Sequence, residues 1–113
     1  VNRVPTSSTI SEIYYKPGKY FNASLDKASE ENERNYVKIK TEDGEELILV
    51  QIAGLIARRI VCNIKKDDKL NKGDRFGIIR FGSRVDLYFK NYKLMVSKNQ
   101  KSIGGETIIA KKL

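Results

Sequence analysis

Histidine is absent from all 113 residues. The commonest general base and the commonest metal ligand are thereby both missing. Cysteine occurs once, at Cys62, which excludes an internal disulfide and any cysteine-built metal site. Lying between Val61 and Asn63 in an apolar run, Cys62 reads as a small buried hydrophobe. No stretch is apolar for the length of a membrane span: the longest apolar patch, 47–64, is broken by Gln51, Arg58, Arg59 and Asn63. No transmembrane helix is expected, and residues 1–10 lack the pattern of a secretory signal peptide.

What is present fits one domain with a modest core. Hydrophobic residues make up 40% and charged residues 32%, ordinary for a globular chain. The net charge is +8 with an isoelectric point near 9.6. Scattered lysines serve solubility; the functional alternative is a polyanionic partner, either nucleic acid or an anionic membrane.

Residues 9–15 alternate as a strand does, and Lys16-Pro17-Gly18-Lys19 has turn chemistry. The polar stretch 22–35, with Ser24 or Asp26 as caps, holds one short helix or an ordered loop. Its Glu30, Glu31 and Glu33 read as a solvated face or as a substrate-channel loop. Residues 35–40 and 46–50 form a hairpin around Asp43-Gly44. For 47–64, β-branched residues at both ends favour two strands meeting at Gly54 over a helix. A weak repeat relates 69–79 to 100–110, each a polar approach, a glycine, an acidic residue and an apolar strand. The sum is an all-β chain, with at most one short helix, folded as a compact antiparallel β-sandwich resembling the barrel-sandwich hybrids of lipoyl and biotinyl carriers.

The most informative stretch is 76–89, a β-like run interrupted by Gly77 and Gly82. If it is one strand, Ile79, Phe81, Ser83, Val85, Leu87 and Phe89 share a face opposite Arg80, Arg84, Asp86 and Tyr88. Ser83 then stands in an apolar row directly after a glycine. One reading is structural: Gly82-Ser83 marks a bulge or bend where the chain changes sheets. The other is a self-cleaving bond. The Ser83 hydroxyl attacks the preceding carbonyl, the resulting ester eliminates to dehydroalanine, and hydrolysis leaves a pyruvoyl group and ammonia. Glycine tolerates the strained backbone this needs, and apolar surroundings keep water from the ester.

The words 51–62 (QIAGLIARRIVC) and 73–86 (GDRFGIIRFGSRVD), with 21–29 (FNASLDKAS), Glu31-Asn32-Glu33-Arg34 and 104–110 (GGETIIA), resemble the short bacterial phosphatidylserine decarboxylases. The likeness runs in order from Val1 almost to Leu113. It implies cleavage between Gly82 and Ser83, giving a β chain (1–82) and an α chain (83–113). Ser83 becomes a covalent pyruvoyl cofactor that forms a Schiff base with the substrate amine, with no metal. The implied activity is conversion of phosphatidylserine to phosphatidylethanolamine in phospholipid biosynthesis. The implied place is the cytoplasmic side of the cell membrane, bound peripherally to its anionic surface, with a homodimer as the assembly. Arginine suits phosphate through its planar fork, so Arg80 and Arg84, with Arg58 and Arg59 behind them, are the candidate substrate ligands. Asp86 is a partner for either of the first two.

Two rival classes remain on the residues alone. A lipoyl- or biotinyl-type carrier needs a lysine at a hairpin tip, for which 98–104 is a loose match. A basic nucleic-acid-binding β module interleaves aromatic and basic residues, as Tyr14, Tyr15, Tyr20 and Phe21 do around Lys16 and Lys19. Neither accounts for the long family-like words.

The chain starts without an initiator methionine, and in the family a histidine, an acidic residue and a hydrophobic segment precede the equivalent of Val1. The 113-residue chain alone is therefore expected to stay uncut and inactive. Intact-mass measurement should return one species at 12.9 kDa; two pieces, the smaller with a blocked N-terminus, would contradict this.

Overall fold

The computed structural model describes residues 2–22, 28–54, 60–79, 84–98, 100–102 and 107–113. Strands dominate, and three sheets form, all from antiparallel pairs and none closed. The hairpin is the centre. Strands β3 (Arg34–Thr41) and β4 (Glu46–Ile52) pair from Arg34↔Ile52 to Lys40↔Glu46. Gly44 takes φ 85° while Asp43 keeps a negative φ. This is a turn with one left-handed residue, closed by Gly44 N–H donating to the Thr41 carbonyl at 3.0 Å.

Strand β2 (Ser8–Lys16) lies on the far side of β3. Its register slips between Ile10 and Glu12, so Ser11 is a β-bulge. Without it, Ile10 and Ile13 would face opposite ways; with it, both reach the core. Strand β5 (Ile60–Cys62) begins beyond the described end of β4, and β6 (Lys69–Leu70) pairs with the start of β2. Strand β7 (Arg75–Ile79) lies between β1 (Asn2–Arg3) and β5 in a three-stranded sheet. Strand β8 (Arg84–Tyr88) is the edge next to β4 in the five-stranded sheet, whose order is β6-β2-β3-β4-β8. Strands β9 (Tyr92–Leu94) and β10 (Ala110–Lys112) form a separate ribbon.

The core fills the space between the three- and five-stranded sheets. Val4 and Phe76 come from one side; Ile10, Val37, Ile39, Leu47 and Leu49 come from the other. Ile13, Cys62, Ile64, Leu70, Leu87, Phe89 and Tyr92 pack around them. The expected all-β sandwich with one short helix is what forms, the helix being α1 (Ala28–Glu31). Ser24 and Asp26, the expected caps, lie outside the described residues.

Two local expectations change. Residues 76–89 are not one strand: β7 and β8 belong to different sheets, so a single alternation cannot run through Ser83. Within β8 it does hold, with Leu87, then Phe89 beyond it, on the core and Tyr88 exposed. Lys16-Pro17-Gly18-Lys19 makes no tight turn either. The chain runs on beside α1, with Lys19 N–H donating to the Glu31 carbonyl at 2.8 Å and Glu33 N–H to the Lys19 carbonyl at 2.9 Å. Glycine at position 18 is a matter of space: a Cβ there would collide with the Glu31 carbonyl oxygen and lie 2.8 Å from the Asn32 carbonyl carbon.

Gly18→Ala is expected to cost about 1–3 kcal/mol, because rigid backbone must shift. Urea denaturation should show a lower midpoint at unchanged slope.

Candidate functional site around the β7–β8 crossing

Gly82 and Ser83 lie outside the described residues, as do Arg80, Arg58 and Arg59. Their frame is described. The three-stranded sheet holds Ile79 opposite Ile60, and the five-stranded sheet holds Arg84 opposite Ile52, itself opposite Arg34. The linkage thus falls within a short crossing between sheets, entering β8 at the end of the sheet formed by Arg34 and Ile52.

That end is built from buried polar side chains. Residues 49–53 are all buried, so β4 is covered on both faces here. Gln51, fully buried, crosses the gap between the sheets. Its amide nitrogen donates to Asn2 Oδ1 at 2.9 Å, and its oxygen accepts from Asn35 Nδ2 at 3.0 Å. Asn32, also fully buried, donates to the Phe21 and Ala53 carbonyls, both at 2.8 Å, and accepts the Phe21 N–H at 2.9 Å. It ties the 19–22 segment to the end of β4.

Glu33 and Arg34 complete the cluster. Tyr20 donates its hydroxyl to Glu33 Oε2 at 2.5 Å. The Tyr15 phenol is pushed above its ordinary value, first by lost hydration and then by the Glu33 carboxylate. Arg34 is 3% exposed. It donates from Nε to the Asn32 carbonyl at 3.1 Å and from Nη1 to the Tyr36 hydroxyl at 3.3 Å, its guanidinium 6.0 Å from the Tyr36 ring centre. Each of these buried side chains has at least one hydrogen-bond partner, an arrangement suited to fixing the end of β4 from which β8 is paired.

Of the candidate substrate ligands, Arg84 is described. On the outer face of β8 its Nε sits 2.9 Å from Asp86 Oδ1, both side chains half-buried, which is the pairing expected for Asp86. The aromatic–basic cluster makes contacts within itself, Tyr14 lying 6.1 Å from Tyr36 between ring centres and Lys19 5.5 Å above Phe21, while Tyr14 and Tyr15 remain more than half exposed. Glu30 and Glu31 are exposed, as a solvated face requires, but Glu33 is 8% exposed. Glu33 reads in the sequence with Glu30 and Glu31 as a solvated face or a substrate-channel loop, whereas Asn32, Arg34, Asn35 and Gln51 were not singled out by sequence reasoning as site residues. The available signal was Gln51, a lone amide between Val50 and Ile52 in a strand apolar on both faces. Among the described residues no group of three or more acidic or thiol side chains converges as a metal site, and no helix is long and apolar enough to cross a membrane.

Comparison with known proteins converges on one family. A family profile described as phosphatidylserine decarboxylase matches residues 1–110. The chain is 65% identical over 112 residues to the phosphatidylserine decarboxylase proenzyme of Pelagibacter ubique, covering 99% of this chain and 52% of that protein. It is 58% identical over 111 residues to the proenzymes of Rickettsia typhi and Rickettsia prowazekii, covering 97% of this chain and 48% of each. The chain therefore spans about half the length of the curated relatives it matches. No solved structure matches it.

Asn32→Ala would strand three backbone groups, the buried Ala53 carbonyl and the partly buried N–H and carbonyl of Phe21. A loss of at least about 1–3 kcal/mol is expected, read as a lower melting temperature and faster amide exchange at Phe21.

Proposed function

The chain belongs to the phosphatidylserine decarboxylase family, and from that premise we propose that it is the part of a proenzyme that breaks its own backbone at Gly82-Ser83 and then decarboxylates phosphatidylserine to phosphatidylethanolamine. The observation that carries this reading is the crossing itself: β7 ends in one sheet, β8 begins in another, and the family-like Gly82-Ser83 falls between two anchored ends. A Gly-Ser bend alone serves any corner. The long family words on both sides of it, and the buried amide network at its sheet end, favour the chemical reading.

In the proposed cleavage, Ser83 Oγ bonds to the Gly82 carbonyl carbon and the amide C–N bond breaks, giving an ester and a free amine. Loss of the Ser83 α-proton expels the Gly82 carboxylate and leaves dehydroalanine, whose imine form takes up water and releases ammonia. The products are residues 1–82, ending in a carboxylate, and residues 83–113, beginning with a pyruvoyl group. That group supplies an electron-accepting carbonyl for loss of carbon dioxide from an amine-bearing substrate. The residues of the crossing fit it: the bond is a Gly-Ser pair, and pairing with β5 on one side and β4 on the other holds its flanks.

Arg84, with Arg80, Arg58 and Arg59, is the proposed reserve of positive charge for the headgroup phosphate and carboxylate. Since Asp86 already holds the Arg84 guanidinium, a phosphate there shares the arginine and orients on one edge of its fork. Phosphatidylserine reaches the site from an anionic membrane to whose cytoplasmic surface the enzyme binds peripherally. The two chains stay associated, and a homodimer is the proposed assembly.

The test is the full-length gene product and its Ser83→Ala variant. Wild type is expected as two polypeptides, the smaller starting at position 83 with a blocked N-terminus and about 17 Da lighter than a serine-started chain, the mass of one ammonia, because water returns the oxygen that elimination removed. Ser83→Ala should remain one polypeptide and release no carbon dioxide above background. An intact wild-type chain that still decarboxylates its lipid would sink the reading.

A further inference from the structure

We propose that the outward face of the β9–β10 ribbon docks on anionic phospholipid bilayers. The register sets Lys93 directly opposite Lys111, and Leu94 opposite Ala110. Met95 N–H donates to the Ile109 carbonyl at 2.7 Å and Leu113 N–H to the Asn91 carbonyl at 2.9 Å, so the ladder continues past both ends of the named strands. Alternation then gathers Lys93, Met95, Ile109, Lys111 and Leu113 on one face. All five are exposed, the aliphatic ones to 40%, 46% and 82% for Met95, Ile109 and Leu113.

The opposite face is anchored at one end: Tyr92 packs against the core and meets Phe89 edge-on at 5.8 Å, and Lys112 reaches Asp43 in the β3–β4 turn at 3.5 Å, while Leu94 and Ile108 on that side stay 59% and 56% exposed. The Tyr92 contact turns the Lys93 face outward.

Two features make that face costly in water and favourable on a bilayer. Like charges directly opposite one another on an antiparallel pair repel. Among the described residues no carboxylate comes within ion-pair distance of Lys93 or Lys111. Residues 90–113 contain six lysines and one glutamate, so the field around the pair is positive. Three aliphatic side chains flank the pair. Phosphates neutralise the ammonium groups while the lysine stems and the aliphatic groups enter the acyl boundary. A protein partner fits less well. The energetic centres of protein interfaces are rich in tyrosine, tryptophan and arginine and poor in lysine, and this face has lysine and none of the other three.

The test uses the full 113-residue chain and sedimentation with vesicles of phosphatidylcholine, alone or mixed with phosphatidylglycerol. Phosphatidylserine is left out, so the result does not depend on the decarboxylation reading. Binding is expected on the mixed vesicles and should weaken with salt. Lys93→Glu should reduce it at least tenfold, and Lys66→Glu, a charge reversal away from the ribbon, less than threefold. Because a glutamate opposite Lys111 converts repulsion into attraction, Lys93→Glu should also raise the urea midpoint. Weaker lipid binding from a more stable fold is a combination that a merely structural lysine does not produce. Unchanged vesicle binding in Lys93→Glu overturns the proposal. So does an equal loss in Lys66→Glu, or a changed oligomeric state with lipid binding intact, which would give the face to a second copy.

Discussion

Four residues separate two strands that belong to different sheets. Five peptide steps at about 3.3–3.6 Å each reach roughly 17 Å, and stacked sheets lie about 10 Å apart, so the passage from Ile79 to Arg84 is short, with slack of about two residues. Neither end is free to drift: Ile60 holds one and Ile52 the other. The gap between the sheets is set in part by the Gln51 amide, which touches Asn35 on its own sheet and Asn2 on the opposite one. The geometry of the crossing is thus a property of both sheets, not of the crossing residues alone.

The polar end of the sandwich deserves its place in energetic terms. Burying amides and a guanidinium is unfavourable unless their hydrogen bonds are replaced. Asn32 replaces them with three backbone contacts, Gln51 with a link across the core, and Arg34 with a carbonyl, a hydroxyl and an aromatic face. An apolar core would supply comparable stability with less geometric demand. What the polar network adds is direction: each member accepts one arrangement of its neighbours, and β4, β3 and the 19–22 segment are locked together where β8 begins.

The hairpin at Asp43-Gly44 was legible because turn chemistry and flanking alternation agree over a dozen neighbouring residues. The two strands within 47–64 were legible from their β-branched residues, but they do not meet at Gly54: β4 ends at Ile52 in one sheet and β5 begins at Ile60 in another, with 55–59 outside what is described. Strand β2 was legible as a strand but not in its detail: Ile10 and Ile13 are three apart, and only a bulge at Ser11 reconciles that spacing with one buried face. Gly18 misled because glycine after proline signals a turn, whereas here it answers a close approach by the backbone of Glu31 to Glu33, thirteen to fifteen residues later, which no local window contains. Glu33 misled for the same reason. Beside Glu30 and Glu31 it looks solvated, and its burial is decided by Tyr20 and by β3 turning inward after α1. Gly82-Ser83 was legible as a special point through family likeness, while the change of sheet there depends on partners, Ile60 and Ile52, that are distant in sequence.

The pairing of β8 with β4 over five consecutive residues, from Ile52↔Arg84 to Ile48↔Tyr88, has a thermodynamic corollary for a severed backbone. Were the backbone cut between β7 and β8 as proposed, this ladder would become an interface between two molecules. Heating or denaturant would then separate partners rather than merely open one polymer, and the apparent transition of the cut form would gain a dependence on protein concentration that the uncut chain does not have at this interface.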